Sequence, residues 1–188
     1  EVRRVAAWAL AELNDRAAAT ALVQALGRDE SEQVREMAVW ALATLNARDA
    51  VDAIARAMRG DEDASVRETA AWALATLNAR RQVDALAEVV GSDRETEVRG
   101  TAAWAIGQLH PSNAPRSLLR ALKDADPDLR LKASWALSEI GDPDATAAIL
   151  DAFKTETHER VQQAQVRALL RAGEGSEDVF RKLLESKD

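Results

Sequence analysis

The residues that draw attention as possible chemistry are aromatic and evenly spaced. Trp8, Trp40, Trp72, Trp104 and Trp135 are all the tryptophan in the chain, and they recur at steps of 32, 32, 32 and 31 residues. An indole offers a large flat apolar face and one N–H donor, which suits it to packing or to gripping a partner and not to bond making. Reactive groups show no comparable order. The chain has no Cys, so a thiolate nucleophile and a thiolate zinc site are excluded. His110 and His158 stand too far apart in sequence to form a metal-ligand spacing, and His110 before Pro111 reads as a turn residue. Asp124, Asp126 and Asp128 begin like a calcium loop, but its sixth position is Leu129 instead of Gly and its twelfth is Trp135 instead of Glu, so the cluster reads as a helix cap. No GxSxG, HExxH or Gly-rich phosphate loop is present. The chain is therefore not expected to be an enzyme, and no cofactor or metal is expected.

The elements that hold the tryptophans in place follow from an internal repeat. VRRVAAWALAELND from Val2 aligns with segments starting at Val34, Val66, Val98, Leu129 and Val161, and WALATLNAR is identical at Trp40 and Trp72. Counting the leading residue as offset zero, small or apolar residues fall at offsets 0, 4, 7, 8 and 11, as in Val34, Ala38, Ala41, Leu42 and Leu45. That spacing gathers them on one side of a helix. A second pattern follows, as in Val51, Ile54 and Met58, or Val83, Leu86 and Val90. The breaks between the two patterns hold Asn14, Asn46, Asn78, His110 or Gly141, types suited to a helix C-terminus. Between repeats, loops such as GRDESEQ and GDEDASV supply Gly as an expected stop and Asp, Ser or Glu as expected N-caps. Two short helices cannot bury such a stripe alone, so neighbouring pairs must stack. The expected fold is all-α, an α-solenoid of about six two-helix repeats filling 1–188 as one domain, with a terminal helix at about 177–186 closing the open end of the core.

With these residues the chain resembles the HEAT-like repeat family, in the flavour whose helix reads DxxVRxxAAxALGxIG. Arg3, Arg35, Arg67, Arg99 and Arg130 match the family's Arg, and Asp29, Asp61, Asp93 and Asp124 occupy loops where its ladder Asp would be. The resemblance implies a structural Asp–Arg ladder tying repeat to repeat. Asn replaces the usual turn Gly in the first three repeats, and the sixth is divergent, with Gln162 for Arg, Gln165 at a core offset and Arg167 for Trp.

All five tryptophans sit at offset 6, about 240° around the helix, while the core offsets average near 30°. In the HEAT-like family this strip lines the concave surface, which implies a row of indoles about 40 Å long at 8–10 Å per helix. Offset 10, one turn on, holds Glu12, Thr44, Thr76, Gln108 and Glu139, all polar. Two readings stand together: a platform for a partner, or indoles filling slots between repeats left by small residues such as Ala75 and Gly107. Trp alternating with a polar residue is also similar to the armadillo peptide groove, whose Asn is missing here.

With 25 basic against 32 acidic residues the net charge is −7, which repels phosphate backbones, so nucleic acid is not an expected partner. The expected function is a non-catalytic, monomeric scaffold that binds a protein or peptide. HEAT-like repeats also form phycobilin lyases, chaperone-like proteins and alkylpurine DNA glycosylases; Glu36, Glu68, Glu12 and Glu139 argue against the last. The AAWAL repeats also look like segments of larger bacterial receptors. A start inside a helical pattern leads to the expectation of a fragment of a longer, natural chain, with no membrane span in this piece and a cytoplasmic default.

Overall fold

The structure is a computed structural model that describes residues 1–173 and 181; the expected terminal helix at 177–186 lies almost wholly outside them. Among the described residues there are eleven α-helices and no strand: α1 Val2–Glu12, α2 Ala19–Arg28, α3 Glu32–Thr44, α4 Val51–Gly60, α5 Ala64–Thr76, α6 Val83–Ser92, α7 Thr96–Leu109, α8 Arg116–Ala121, α9 Pro127–Ile140, α10 Thr146–Thr155 and α11 Glu159–Ala172. The chain divides into two compact units, Glu1–Ala85 and Leu86–Asp188.

In the first unit the tryptophan-bearing helices α1, α3 and α5 pack on one another as one layer, and α2 and α4 form the other. The two second-layer helices touch each other far less than α3 touches its neighbours, so this stack is tightest on the tryptophan side. Each second-layer helix packs chiefly on the tryptophan helix that follows it, α2 on α3 and α4 on α5. The second unit is built the same way: α9 lies between α7 and α11, with α8 on α9 and α10 on α11.

Local sequence explains the turns. Asn14, Asn46 and Asn78 each have φ 52°, His110 has φ 46° and Gly141 has φ 66°. These are the residues in the breaks, and each ends a helix in the left-handed region, where Asn and Gly meet the smallest penalty. The Ala47 N–H reaches back to the Leu42 carbonyl at 3.0 Å and the Asn46 N–H to Ala43 at 3.0 Å, the paired bonds of a Schellman ending. A short 3₁₀ turn then starts most second-layer helices, at Arg16–Ala18, Arg48–Ala50, Arg80–Gln82 and Pro143–Ala145.

The loops between repeats work differently from expectation. Gly27 and Gly91 lie inside α2 and α6, and Gly60 is the last residue of α4. No glycine of these loops has positive φ, so Gly is not the stop. The stop is Asp: Asp29 and Asp61 turn extended after α2 and α4. Their carboxylates accept from the N–H two residues ahead, Ser31 at 3.0 Å and Asp63 at 3.0 Å. A side chain that captures the backbone in this way ends a helix without a left-handed residue. Of the expected N-caps, Asp63 and Asp126 accept from the first turns of α5 and α9, while Ser31 and Glu95 cap without a side-chain bond.

The core follows the offsets. Val34, Ala38, Ala41, Leu42 and Leu45 are all buried, as are Ile54, Met58, Leu86 and Val90, although Val51 and Val83 remain partly exposed. Alanine at offsets 4 and 7 lets the helix axes approach closely, so a one-methyl change there is felt by the next repeat.

Candidate functional site

Offset 6 places the indoles of each unit on its tryptophan-bearing helices, at the border between core and solvent. Trp40, Trp72, Trp104 and Trp135 are half-buried, and Trp8 on α1 is 47% exposed. Position 5, immediately before each, is fully buried in Val39, Ala71, Ala103 and Ser134. The indole therefore leans from a sealed edge toward the open face.

How far it leans is clearest at Trp135 on α9. A β-carbon placed on Gly107 of α7 would lie 2.7 Å from Trp135 Cζ3 and 2.9 Å from the Ala136 Cα. The rim of this indole occupies the space a side chain would take, and the glycine at offset 9 is what admits it. Slot filling and a solvent-facing ring thus coexist in one residue, because an indole is long enough to anchor one edge and present the other.

The polar residues one turn on are partly engaged. Thr44 and Thr76 donate their hydroxyls to the Trp40 and Trp72 carbonyls at 3.0 and 3.1 Å, which leaves each oxygen free to accept only. Glu12 and Gln108 are exposed. Glu139 stands 3.6 Å from His110 Nε2, and the other ring nitrogen of His110 lies 2.8 Å from the Gln108 carbonyl. In the first unit the strip near Trp8, Trp40 and Trp72 also carries Glu36 and Glu68 on the tryptophan helices, and Glu36 accepts from Thr69 at 3.3 Å.

The second unit has a feature the offsets did not single out. A groove of about 510 Å³ opens over α7, α9 and α11, lined by Trp104, Leu131, Trp135, Ser138, Gln163 and Ala164 together with three cations, Lys132, Arg160 and Arg167. Arg167 was visible in the sequence as the residue standing at the tryptophan register of the sixth repeat. Arg160 was not, because it precedes the repeat's first residue and belongs to no offset.

The Arg side chains from the repeat motif face away from this strip and join loops. Arg35 makes a bidentate pair with Asp61, Nε to Oδ2 at 2.8 Å and Nη2 to Oδ1 at 2.7 Å, and its Nη1 donates to the Asp29 and Glu30 carbonyls of the loop before it. Arg3 meets Asp29 in the same way. Arg67 is buried and donates to the Asp61 and Glu62 carbonyls, and Asp93 accepts from the Glu95 N–H. Arg99 reaches Asp124 with one bond of 3.0 Å only, and its Nε lacks a partner. Arg35 and Asp61 are 26 residues apart, whereas Arg99 and Asp124 are 25 apart because this repeat is one residue shorter. Arg130 takes Glu156, a residue no motif flagged, at 2.7 and 2.9 Å; the 26-residue spacing is the signal that would have found it. Gln162 keeps half of the Arg role: its amide donates to the Glu156 carbonyl at 2.6 Å, six residues back, just as Arg35 does to Asp29.

The charges respond to these bonds. Burial pushes the Asp61 carboxyl up, but the hydrogen bonds from Arg35 and the Asp63 N–H outweigh it and hold it below the ordinary carboxylate value. Arg130 hydrogen bonds draw Glu156 down against its burial, helped by the His158 N–H. Asp126 caps α9 through the Asp128 and Leu129 N–H groups, which uses the carboxylate of the DADPD cluster as a cap. Among the described residues no three His, Cys, Asp or Glu side chains gather as metal ligands, and no helix is long and apolar enough to cross a membrane.

HEAT repeats match residues 1–75, 19–107 and 83–170. The chain belongs to the HEAT-repeat family. Two of the matched stretches begin at Ala19 and Val83, the first residues of α2 and α6. No curated protein matches the sequence significantly. Among solved structures, this HEAT-repeat protein is similar to a designed armadillo repeat protein in complex with peptide (KR)4, with 21% identity over 86% of this chain and 84% of that one and a TM-score of 0.64. It is also similar to an engineered protein at 23% identity over 92% of both chains with a TM-score of 0.67. Those likenesses show the fold, an armadillo-type α-solenoid.

Proposed function

We propose that this HEAT-repeat protein is a non-catalytic scaffold that grips a protein segment on its tryptophan layer. The observation that carries the reading is the register: every indole in the chain occupies one repeat offset, on the tryptophan-bearing helices of its own unit, with a ring only partly covered. A fold that needed the indoles only as filler has no reason to leave all five at the solvent border. Partly buried tryptophan is favoured as an anchor at interfaces, because it adds contact area at little entropic cost. The similarity to a designed armadillo protein in complex with a peptide supports a peptide or protein as the partner. The repeat Arg and acidic residues serve as a structural ladder in this reading, and the whole chain acts as one binding domain.

The test is a pair of measurements on Trp8→Ala, Trp40→Ala and Trp104→Ala. Partner affinity should fall by about 2 kcal/mol for each indole in contact, while stability changes less than for a core truncation, roughly 3–5 kcal/mol. Strong destabilisation with unchanged affinity refutes the platform reading.

A further inference from the structure

The groove over α7, α9 and α11 differs in charge from the rest of the molecule. In a chain of net charge −7 its lining among the described residues holds Lys132, Arg160 and Arg167 and no carboxylate. Most arginines of the repeat motif are spent on carboxylates or loop carbonyls. Among the described residues, Lys132, Arg160 and Arg167 have no ion-pair or hydrogen-bond partner. Arg160 and Arg167 are exposed, and the Lys132 stem lies across Gly100, where a β-carbon would come within 2.8 Å of its Cδ. Like charges gathered in one groove are solvated when it is empty, and together they give it a positive field that favours an anionic partner.

The register says what else the ligand carries. Trp104, Trp135 and Arg167 occupy the same offset on three successive helices of the layer. Helices packed side by side are about 8–10 Å apart, and an extended peptide advances about 3.3 Å per residue, so consecutive stations fall about three residues apart. Resting on the tryptophan-platform reading, we infer that this groove binds an extended acidic peptide, with apolar side chains on the Trp104 and Trp135 indoles and carboxylates at Arg167, Arg160 and Lys132. Guanidinium groups favour this ligand because they pair with carboxylates in a bidentate fork.

The experiment titrates the full chain with three fluorescein-labelled peptides, SLSSLSEEES, SLSSLSQQQS and SLSSLSKKKS, by fluorescence anisotropy. The acidic peptide should bind at least about tenfold more tightly than the amide peptide, as charged hydrogen bonds outweigh neutral ones, and the preference should shrink as salt rises. Arg167→Gln with Arg160→Gln should reduce that preference to less than about threefold while thermal melting and far-UV circular dichroism stay unchanged, since both side chains are exposed. If the three peptides bind alike and Trp104→Ala abolishes binding, the acidic preference is refuted and the platform reading stands. If acidic binding needs the arginines but ignores Trp104→Ala and Trp135→Ala, the anion groove stands and the platform reading falls. Tighter competition by a ten-nucleotide oligothymidylate overturns the peptide assignment in favour of single strands. If replacing Glu174, Glu177 and Asp178 of the chain itself by their amides raises peptide affinity tenfold, the occupant is internal and the inference of a separate partner is overturned. Failure of the acidic peptide to bind at millimolar concentration overturns it as well.

Discussion

Gly107→Ala and Gly27→Ala are the same chemical change in two helices, and the structure gives them opposite signs. Each removes a helix glycine, a gain of roughly 0.8–1 kcal/mol in propensity. At Gly27 a new β-carbon would meet nothing within 4 Å, so the gain stands alone. At Gly107 the new carbon would lie 2.7 Å from Trp135 Cζ3, 2.9 Å from the Ala136 Cα and 3.1 Å from the Ala136 Cβ. The indole can swing away, but Ala136 Cα is backbone, so α7 and α9 must separate by several tenths of an ångström. Overpacking of that kind costs roughly 1–3 kcal/mol, and the indole also loses its seat. The net expectation is a loss of about 1–2 kcal/mol for Gly107→Ala against a gain of up to about 1 kcal/mol for Gly27→Ala. Urea unfolding followed by circular dichroism measures both, and tryptophan emission reports whether Trp135 becomes more solvent-exposed. A Gly107→Ala variant as stable as Gly27→Ala, with unchanged emission, would refute the claim that the glycine at offset 9 seats the indole.

Other outcomes follow from single contacts. Asn46→Ala, at φ 52°, should cost roughly 1 kcal/mol, whereas Asn46→Gly should be neutral or stabilising, as read by thermal melts. Glu156→Gln leaves Arg130 without its carboxylate across a pair whose side chains are 16% and 3% exposed, and should destabilise by roughly 2–3 kcal/mol at neutral pH. Because Asp61 and Glu156 have carboxyls held below their ordinary values, the stability they contribute is complete above the unfolded value near about 4. It is lost as pH falls from there through the depressed values, so melting temperature against pH should drop more steeply below about pH 4 in the native chain than in Glu156→Gln. Gln165 is fully buried with neither amide atom bonded; Gln165→Met, close in shape and without the polar cost, should raise stability by about 1–3 kcal/mol in a denaturant melt.

The fold was legible because every term that builds it is local and repeated. The offsets of Val34, Ala38, Ala41, Leu42 and Leu45 define one helical face, and Asn46 and Gly141 mark where such a helix ends, since left-handed backbone selects residue type directly. The loop glycines misled for the same reason: Gly is permissive without being compulsory, and the capture of the Ser31 N–H by Asp29 ended α2 before a left-handed turn was needed.

What sequence alone determined is periodicity: six repeats, one offset carrying all the indoles, and an Arg in each of the first five repeats. What only the tertiary structure decided is which groups meet once the repeats are stacked. Glu156 became the partner of Arg130 although its loop lacks the usual Asp, and Trp135 found room only because Gly107 faces it from another helix. Arg160, outside every offset, joined Lys132 and Arg167 in one groove. The spacing of residues along one helix follows from 3.6 residues per turn, but contacts between helices depend on how closely and at what angle the stack packs, and that geometry is set by side-chain volumes summed across neighbouring repeats.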